Sequence, residues 1–153
     1  MKSEKYIVAI DQSTQGTKAM LFDETGAMLK RCDLPHRQIV NDLGWVEHDP
    51  EEILRNVVQT VKNLILEMRI DPSQIAGIGL SNQRETGVAW DRETGKPLYN
   101  AIVWQCGRAK EICNEISRKG YADTVKQHTG IQLSPYFTAG KLAWILRNVP
   151  QAA

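Results

Sequence analysis

The chain has 153 residues, of which 42% are hydrophobic and 24% are charged, and its formal net charge is +1. This length and composition suit one soluble globular domain with a buried core. The near-neutral charge gives no electrostatic reason to expect a nucleic-acid or membrane partner. The sequence contains no apolar run long enough to span a bilayer and no signal-peptide pattern, so we expect a cytoplasmic protein.

The three cysteines and three histidines show no metal-binding pattern. Cys32, Cys106 and Cys113 lack CxxC spacing, which favours free, buried thiols in a reducing compartment. The histidines form no HxxxH or similar arrangement, which argues against a zinc site.

The N-terminal part of the sequence predicts three short strands. Residues 6–10 and 18–22 are apolar, partly β-branched runs, and a third strand is expected at about residues 28–35. The sequence Asp-Glu-Thr-Gly at 23–26 is typical of a tight turn. Three strands joined by short turns favour an antiparallel meander.

A long amphipathic helix is predicted next. Asp49 suits the N-cap and Pro50 the first helical position, and two glutamates follow in the first turn. Apolar residues then recur at three- and four-residue spacing up to Met68 and form one face. The elements predicted after this helix are strands at 75–80 and 87–90, a strand-like run at 100–106, and helices at about 109–119, 122–127 and 140–148.

The order of these elements predicts the fold class. A meander of strands, a long helix and a further strand fit an α/β mixed sheet with flanking helices, of the ribonuclease H-like or actin-like kind. We find no internal repeat, low-complexity tract or linker in the sequence.

The stretch IDQSTQGTKA joins the first two strands through polar and charged residues. Asp11 stands at the end of the first strand, a suitable place to hold hydrated Mg²⁺. Gly16 lets an anion approach the backbone, and Thr14 and Thr17 add hydroxyl groups. Lys18 adds a positive charge for a terminal phosphate, so the parts needed for phosphoryl transfer are present. The stretch is no P-loop, and a hairpin with a merely solvated lysine fits it equally well.

A second polar stretch, SNQRETG, follows the strand at 75–80. Arg84 offers donors and Glu85 an acceptor, a pair suited to the vicinal hydroxyls of a polyol beyond a strand end. Trp104 offers a flat apolar wall, and Tyr136, which follows Pro135 in an expected loop, offers a hydroxyl. Taken singly, these residues also fit a surface ion pair and ordinary packing.

Together these motifs resemble the N-terminal part of the glycerol kinases, which belong to the FGGY family of carbohydrate kinases. The resemblance runs from Tyr6 to about Leu146 and rests on IDQSTQGTKA, GWVEHDPEEI, IGLSNQRETGVAWDRETGKPLYNAIVWQC and TGIQLSPYFTAGKLAWIL. Members of this family fold as two actin-like domains around ATP and substrate, and they phosphorylate a terminal hydroxyl. The resemblance implies that residues 1–153 are part of the first domain. It places the second ATPase domain and the catalytic base elsewhere.

The resemblance implies roles for the first polar stretch. Asp11 would act in catalysis beside a bound Mg²⁺, together with Lys18. The nucleotide phosphates would face Thr14, Gln15, Gly16 and Lys18. ATP and Mg²⁺ are therefore the implied cofactors.

The resemblance also implies that glycerol is the substrate and glycerol 3-phosphate the product. Arg84, Glu85 and Tyr136 would hydrogen-bond the glycerol hydroxyls, and Trp104 would pack against the glycerol carbons. The full-length enzyme would be a homo-oligomer, and this chain alone would be inactive because it lacks the base.

The first polar stretch departs from the usual glycerol kinase sequence at Ser13, Gln15 and Lys18. It leans toward the pentulose kinases of the same family, so a kinase for another polyol or ketose is an alternative. A fragment that binds ligand without catalysis is another. A ribonuclease H-like nuclease is disfavoured by the near-neutral charge and by the lack of clustered carboxylates.

Overall fold

The computed structural model describes residues 4–152, which form two compact units. Unit 1 comprises the described residues up to Arg37 together with Glu51–Gln83, and unit 2 comprises Gln38–Pro50 and the described residues from Arg84 onwards. The strands are β1 (Tyr6–Gln12), β2 (Gly16–Phe22), β3 (Met28–Pro35), β4 (Ile39–Val40), β5 (Val46–His48), β6 (Ile75–Ser81) and β7 (Ala101–Ile102). The α-helices are α1 (Pro50–Met68), α2 (Lys110–Arg118), α3 (Ala122–Thr129) and α4 (Thr138–Asn148).

Unit 1 is a mixed sheet packed against α1. Its strand order is β3-β2-β1-β6, in which β1 pairs antiparallel with β2 and parallel with β6. Alternate residues of the strands, including Val8, Ile10 and Leu21, are buried in one core with Leu64 of α1. The predicted meander, helix and return strand are therefore confirmed, and the burial of alternate side chains fixes the register.

Unit 2 combines a small sheet with α2, α3 and α4. The sheet has the order β4-β5-β7, and both of its strand pairs are antiparallel. Its core contains Ile102, Cys106, Ile145 and Val149, against which Trp144 and other partly buried side chains pack. The three cysteines are free and buried, as predicted.

The strand predicted at 87–90 was wrong, and the strand-like run predicted at 100–106 is confirmed only in part. Residues 87–90 form only two isolated bridges, from Gly87 to Ile102 and from Trp90 to Pro97. The run at 100–106 contributes a strand of only two residues, β7. The predicted helices are confirmed with shifted ends, whereas β4 and β5 were not predicted. Among the described residues, no helix combines the length and the apolar character needed to cross a membrane.

Candidate functional site

The first predicted group lies in unit 1, where Ser13, Thr14 and Gln15 connect β1 to β2. The backbone N–H and the hydroxyl of Ser13 both donate to the carbonyl oxygen of Gly16, each at 3.0 Å. Nε2 of the buried His36 ring lies 2.9 Å from the carbonyl oxygen of Thr14. These bonds hold the turn in one conformation, while the Gln15 side chain stays exposed.

Asp11 and Lys18 face each other across β1 and β2. The strand register pairs the two residues, and Lys18 Nζ lies 2.9 Å from Asp11 Oδ2. The same nitrogen is 3.4 Å from Ser13 Oγ. The Lys18 side chain is 33% exposed and the Asp11 side chain is 38% exposed. An ion pair this open to water stabilises a fold only weakly. The lysine is thus ion-paired rather than merely solvated, and its charge remains accessible to an anion.

The packing of the fold alone explains two neighbouring residues, Gly16 and Thr17. A Cβ at Gly16 would lie 2.6 Å from the carbonyl oxygen of Leu34, so the packing of β3 requires glycine there. Thr17 is fully buried, and its hydroxyl donates to the Gln12 side chain. The expectation that Thr17 offers its hydroxyl to a phosphate was therefore wrong.

The hairpin provides one carboxylate for a metal ion. Among residues 4–152, no three His, Cys, Asp or Glu side chains are grouped so that they could hold a metal. Mg²⁺ is commonly bound through one or two carboxylates, with waters and substrate phosphates completing its shell. Asp11 therefore fits a Mg²⁺ ion that arrives with a nucleotide better than a permanently bound metal.

The second predicted group lies in unit 2, between β7 and α4. The ring centroids of Trp104 and Tyr136 are 5.9 Å apart, with the ring planes at 64°. Tyr136 also meets Phe137 edge to face, at 5.2 Å. Tyr136 is 41% exposed, so the residue is accessible from solvent. The sequence prediction of an aromatic wall with a nearby hydroxyl agrees with this arrangement.

Glu85 joins this group at the first turn of α4. Its Oε2 accepts hydrogen bonds from the backbone N–H and the hydroxyl of Thr138, both at 3.2 Å. A helix N-terminus favours a carboxylate in this position. The φ angle of Glu85 is 62°, in the left-handed region where a side chain is strained. Such strain concentrates at functional sites, and Oε1 has no hydrogen-bond partner within the described part of the chain.

Arg84 is not brought into contact with these residues. Its side chain is exposed, and the guanidinium has no hydrogen-bond or ion-pair partner within residues 4–152. The surface ion pair between Arg84 and Glu85, which the sequence left open, is therefore not formed. The donors of Arg84 remain available to a ligand.

Unit 2 contains a buried charged network that was not predicted from the sequence. The Arg108 guanidinium is ion-paired with Glu47 and lies 4.4 Å and 4.6 Å from the ring centroids of Trp45 and Trp144. Burial alone would raise the pKa of Glu47. The hydrogen bonds that Glu47 accepts, from Asn100, Arg108 and a tyrosine hydroxyl, outweigh burial and lower that pKa.

Lys141 was missed as well, although it contacts the second group. Its side chain is fully buried in α4, and Nζ donates to the carbonyl oxygens of Pro135, at 3.0 Å, and of Tyr136. Burial lowers the pKa of Lys141, and the nearby charge of Glu85 opposes this effect. Its sequence spacing gave no signal, because a lysine on a helix is ordinarily assigned to the solvent face.

The chain is similar to known proteins in both sequence and structure. The sequence profile of the N-terminal domain of the FGGY family of carbohydrate kinases matches residues 6–153. The chain is 48% identical over 144 residues to Glycerol kinase 1 of Thermotoga maritima. Its structure is similar to that of Plasmodium falciparum glycerol kinase with ADP, with a TM-score of 0.88 and 39% identity. It is also similar to a ligand-bound xylulose kinase from Lactobacillus acidophilus, with a TM-score of 0.86 and 27% identity.

These likenesses cover most of this chain but a small share of the other proteins. The match covers 94% of this chain and 29% of the Thermotoga protein. It covers 97% of this chain and 30% of the Plasmodium structure, and 97% and 29% for the xylulose kinase. The likenesses confirm the predicted fold class, a ribonuclease H-like or actin-like mixed sheet with flanking helices.

Proposed function

Because this chain belongs to the FGGY family of carbohydrate kinases and matches its N-terminal domain, we propose that it is the N-terminal part of an ATP-dependent glycerol kinase. In this proposal the second ATPase domain and the catalytic base lie outside residues 1–153. The chain spans only 29% of the Thermotoga glycerol kinase, which is consistent with such a division. The cytoplasmic location and the homo-oligomeric state of the whole enzyme stay predictions.

The cluster of Trp104, Tyr136 and Glu85 in unit 2 carries this proposal. An aromatic wall suits the carbon chain of a small polyol. Hydroxyl groups both donate and accept hydrogen bonds, so Glu85 Oε1 and the Tyr136 hydroxyl complement them. Arg84 adds donors that are free within residues 4–152.

The β1–β2 hairpin would bind the phosphates of ATP. Thr14, Gln15 and Gly16 would lie along the phosphates, and the Lys18 ammonium would offset charge on the transferred group. Asp11 holds Lys18 in place through its ion pair and would hold Mg²⁺. When it is bound, the metal neutralises phosphate charge. The proton of the attacking hydroxyl would pass to a carboxylate outside this chain.

A kinase for a pentulose is the second candidate. It is favoured by the likeness to the xylulose kinase of Lactobacillus acidophilus, at a TM-score of 0.86. The hairpin residues Ser13, Gln15 and Lys18, where the sequence leans toward pentulose kinases, favour it too. The lower identity to that protein, 27%, makes glycerol the first choice over a pentulose.

A chimaeric enzyme tests the proposal. The segment of Thermotoga maritima Glycerol kinase 1 that matches this chain is replaced by this chain, and ADP formation is measured with glycerol and with xylulose. We expect turnover of glycerol, whereas the isolated chain should show none because it lacks the base. Faster turnover of xylulose than of glycerol would favour the second candidate. Calorimetry of the isolated chain with glycerol and ATP tests binding without catalysis.

Two substitutions in the chimaera separate the roles of the two groups. Arg84→Ala should raise the glycerol KM by about tenfold to a hundredfold, the usual cost of losing a charged hydrogen bond. The matched control is Arg92→Ala, which removes another exposed arginine of unit 2. An unchanged glycerol KM in Arg84→Ala would show that this residue does not bind the substrate.

Lys18→Ala should instead lower kcat by about a hundredfold to a thousandfold, because its charge matters most in the transition state. Its control is Lys30→Ala, which removes a lysine of the same sheet that is ion-paired with Glu67. Equal kcat values for the two lysine variants would show that Lys18 has no catalytic role.

A further inference from the structure

Lys141 is a buried charge that contacts the backbone beside the cluster of Trp104, Tyr136 and Glu85. Its side chain is fully buried, and its ammonium donates to the carbonyl oxygens of Pro135 and Tyr136. These are consecutive residues of the turn that leads into α4. A buried ammonium group without hydrogen-bond partners would be strongly destabilising, so the two bonds are needed to keep the charge in place.

The two bonds fix the segment that carries the Tyr136 ring. The turn is closed by the Phe137 N–H, which donates to the carbonyl oxygen of Ser134 at 3.2 Å. Because Lys141 binds two successive carbonyl groups inside this turn, it restricts the peptide planes on both sides of the Tyr136 Cα. The ammonium also lies 6.0 Å from the centroid of the Tyr136 ring. The position of the ring against Trp104 therefore depends on Lys141.

Lys141 also lies near Glu85, the acidic member of the cluster. Glu85 is bonded to Thr138, which precedes Lys141 by three residues on α4, one helical turn away. The chain after Glu85 packs closely on the stem of Lys141, since a Cβ at Gly87 would lie 3.5 Å from Lys141 Cβ. Burial lowers the pKa of Lys141 and the charge of Glu85 opposes this, which is consistent with their proximity. One helix therefore holds both the aromatic and the acidic part of the cluster.

We propose that Lys141 is a positioning residue for the polyol site, which sets the place of the Tyr136 ring and hydroxyl relative to Glu85 without touching the substrate. This inference rests on the proposed function in one respect, namely that Tyr136 and Glu85 bind the polyol. The part that concerns Tyr136 alone is independent of it. Lys141 would thus affect the affinity for the polyol and leave the affinity for ATP unchanged.

The first test uses the isolated chain and requires no activity. The chain is labelled with 3-fluorotyrosine, and the fluorine resonance of Tyr136 is assigned with Tyr136→Phe. Lys141→Met replaces the lysine with an apolar side chain of similar length and so removes the ammonium group. It should shift or broaden the Tyr136 resonance and leave that of Tyr6, on β1 of unit 1, unchanged. A Tyr136 resonance that does not move would overturn the proposal.

The second test measures kinetics in the chimaera. Lys141→Met should raise the glycerol KM by about tenfold to a hundredfold with an unchanged KM for ATP, since displacing a binding group by about 1 Å can cost 100-fold. Lys141→Arg, which keeps the charge and the donors, should restore most of the affinity. Lys110→Met, which removes an exposed lysine of the same unit, is the control.

The outcomes distinguish this proposal from the proposed function. If Arg84→Ala raises the glycerol KM and Lys141→Met does not, Lys141 only stabilises the fold and the inference fails. If the unsubstituted chimaera does not use glycerol, the proposed function fails, and the fluorine spectrum still decides whether Lys141 positions Tyr136. If Lys141→Met does not fold, Lys141→Gln, whose amide can donate to one carbonyl oxygen, replaces it with a smaller expected shift in both readouts.

Discussion

Glu47→Gln removes the negative charge from the buried network of unit 2 with almost no change in side-chain volume. Arg108, whose side chain is fully buried, then loses its ion-pair partner. The glutamine oxygen can still accept the hydrogen bonds from Tyr99 and Arg108, but its amide group then places two donors against the Asn100 amide donor. The substitution therefore leaves a buried cation uncompensated and surrounds it with excess donors.

The expected loss of stability follows from these contacts. Removing one partner of a buried ion pair costs about 3–5 kcal/mol, mostly because the other charge stays buried. The faces of Trp45 and Trp144 still stabilise the guanidinium, and a desolvated cation–π contact contributes about 2 kcal/mol. We therefore expect a loss near the lower end, about 3 kcal/mol. With an m value of about 2 kcal/mol per molar urea, the unfolding midpoint falls by about 1.5 M.

Tryptophan fluorescence during urea unfolding measures this loss. All four tryptophans of the chain belong to unit 2, so their signal reports the unfolding of that unit. The matched control is Glu115→Gln, because Glu115 is also ion-paired, with Lys119 and Arg147, but on the surface of the same unit. Its loss should be much smaller, because an ion pair exposed to water contributes little to stability. Equal midpoints for the two variants would refute the reasoning that burial makes the Glu47 charge important.

Glu47→Gln should also change how the free energy of unfolding depends on pH. The pKa of Glu47 is lowered in the folded state, so its stabilisation is complete above the ordinary carboxyl pKa and is lost as the pH falls through the folded value. The unsubstituted chain should therefore lose more stability on acidification than Glu47→Gln does. Parallel pH profiles for the two proteins would contradict this sign.

Two further predictions concern a glycine and a surface carboxylate. Gly16→Ala should destabilise unit 1 by about 1–3 kcal/mol, because the new Cβ would lie 2.6 Å from the carbonyl oxygen of Leu34. Thermal melting followed by circular dichroism measures this, and Gly79→Ala, where a Cβ meets nothing within 4 Å among the described residues, should be nearly neutral. The hydrogen bond from Lys119 and the neighbouring arginine lower the pKa of Glu115 to about 2. A carboxyl NMR titration should show this value and a rise toward the ordinary pKa in Lys119→Met, whereas an ordinary pKa in the unsubstituted chain would contradict the observed contacts.

The sequence predicted the elements whose signals are local. The start of α1 was indicated by Asp49 and Pro50, and its apolar face ran to Met68, where the helix ends. The strands of unit 1 were predicted because apolar, β-branched runs were separated by short turns. Each of these predictions depended on residues within one or two turns of chain, so it needed no knowledge of the tertiary structure.

The short strands of unit 2 depend on long-range pairing and were missed or misplaced. β5 pairs with β7, more than fifty residues later in the chain, and each contributes only a few residues. A local signal for the β4–β5 hairpin does exist. Asn41 accepts hydrogen bonds from the backbone of Leu43 and Trp45, and Gly44 has a φ of 69°. That turn pattern could have indicated the hairpin without the structure.

The buried charges could not have been inferred from the sequence. Glu47 and Arg108 are 61 residues apart, and nothing in their spacing relates them. Charged residues are seldom fully buried, so hydrophobic patterning assigns Arg108 and Lys141 to the surface. Only the tertiary structure shows that aromatic rings and backbone carbonyl oxygens surround them.

The two candidate groups differ in how far the fold alone explains them. In the hairpin, the packing of β3 accounts for Gly16 and the interior of the sheet accounts for Thr17, so only Asp11, Thr14, Gln15 and Lys18 support a ligand. In unit 2, by contrast, the stability of the fold does not explain the residues of the candidate group. A left-handed backbone at a residue with a side chain costs on the order of 1–3 kcal/mol.

Burying a lysine ammonium adds a further cost to this strain. A sequence selected for stability alone would place glycine at position 85 and an apolar residue at position 141. Glu85 accepts a hydrogen bond from Thr138 at the start of α4, and Lys141 donates to the carbonyl oxygen of Tyr136, an exposed residue just before it. Their shared location is best explained by a ligand that needs the carboxylate and the tyrosine at a fixed separation. The polyol assignment therefore has stronger physical support in this chain than the phosphate assignment, although the phosphate motif was the more conspicuous in the sequence.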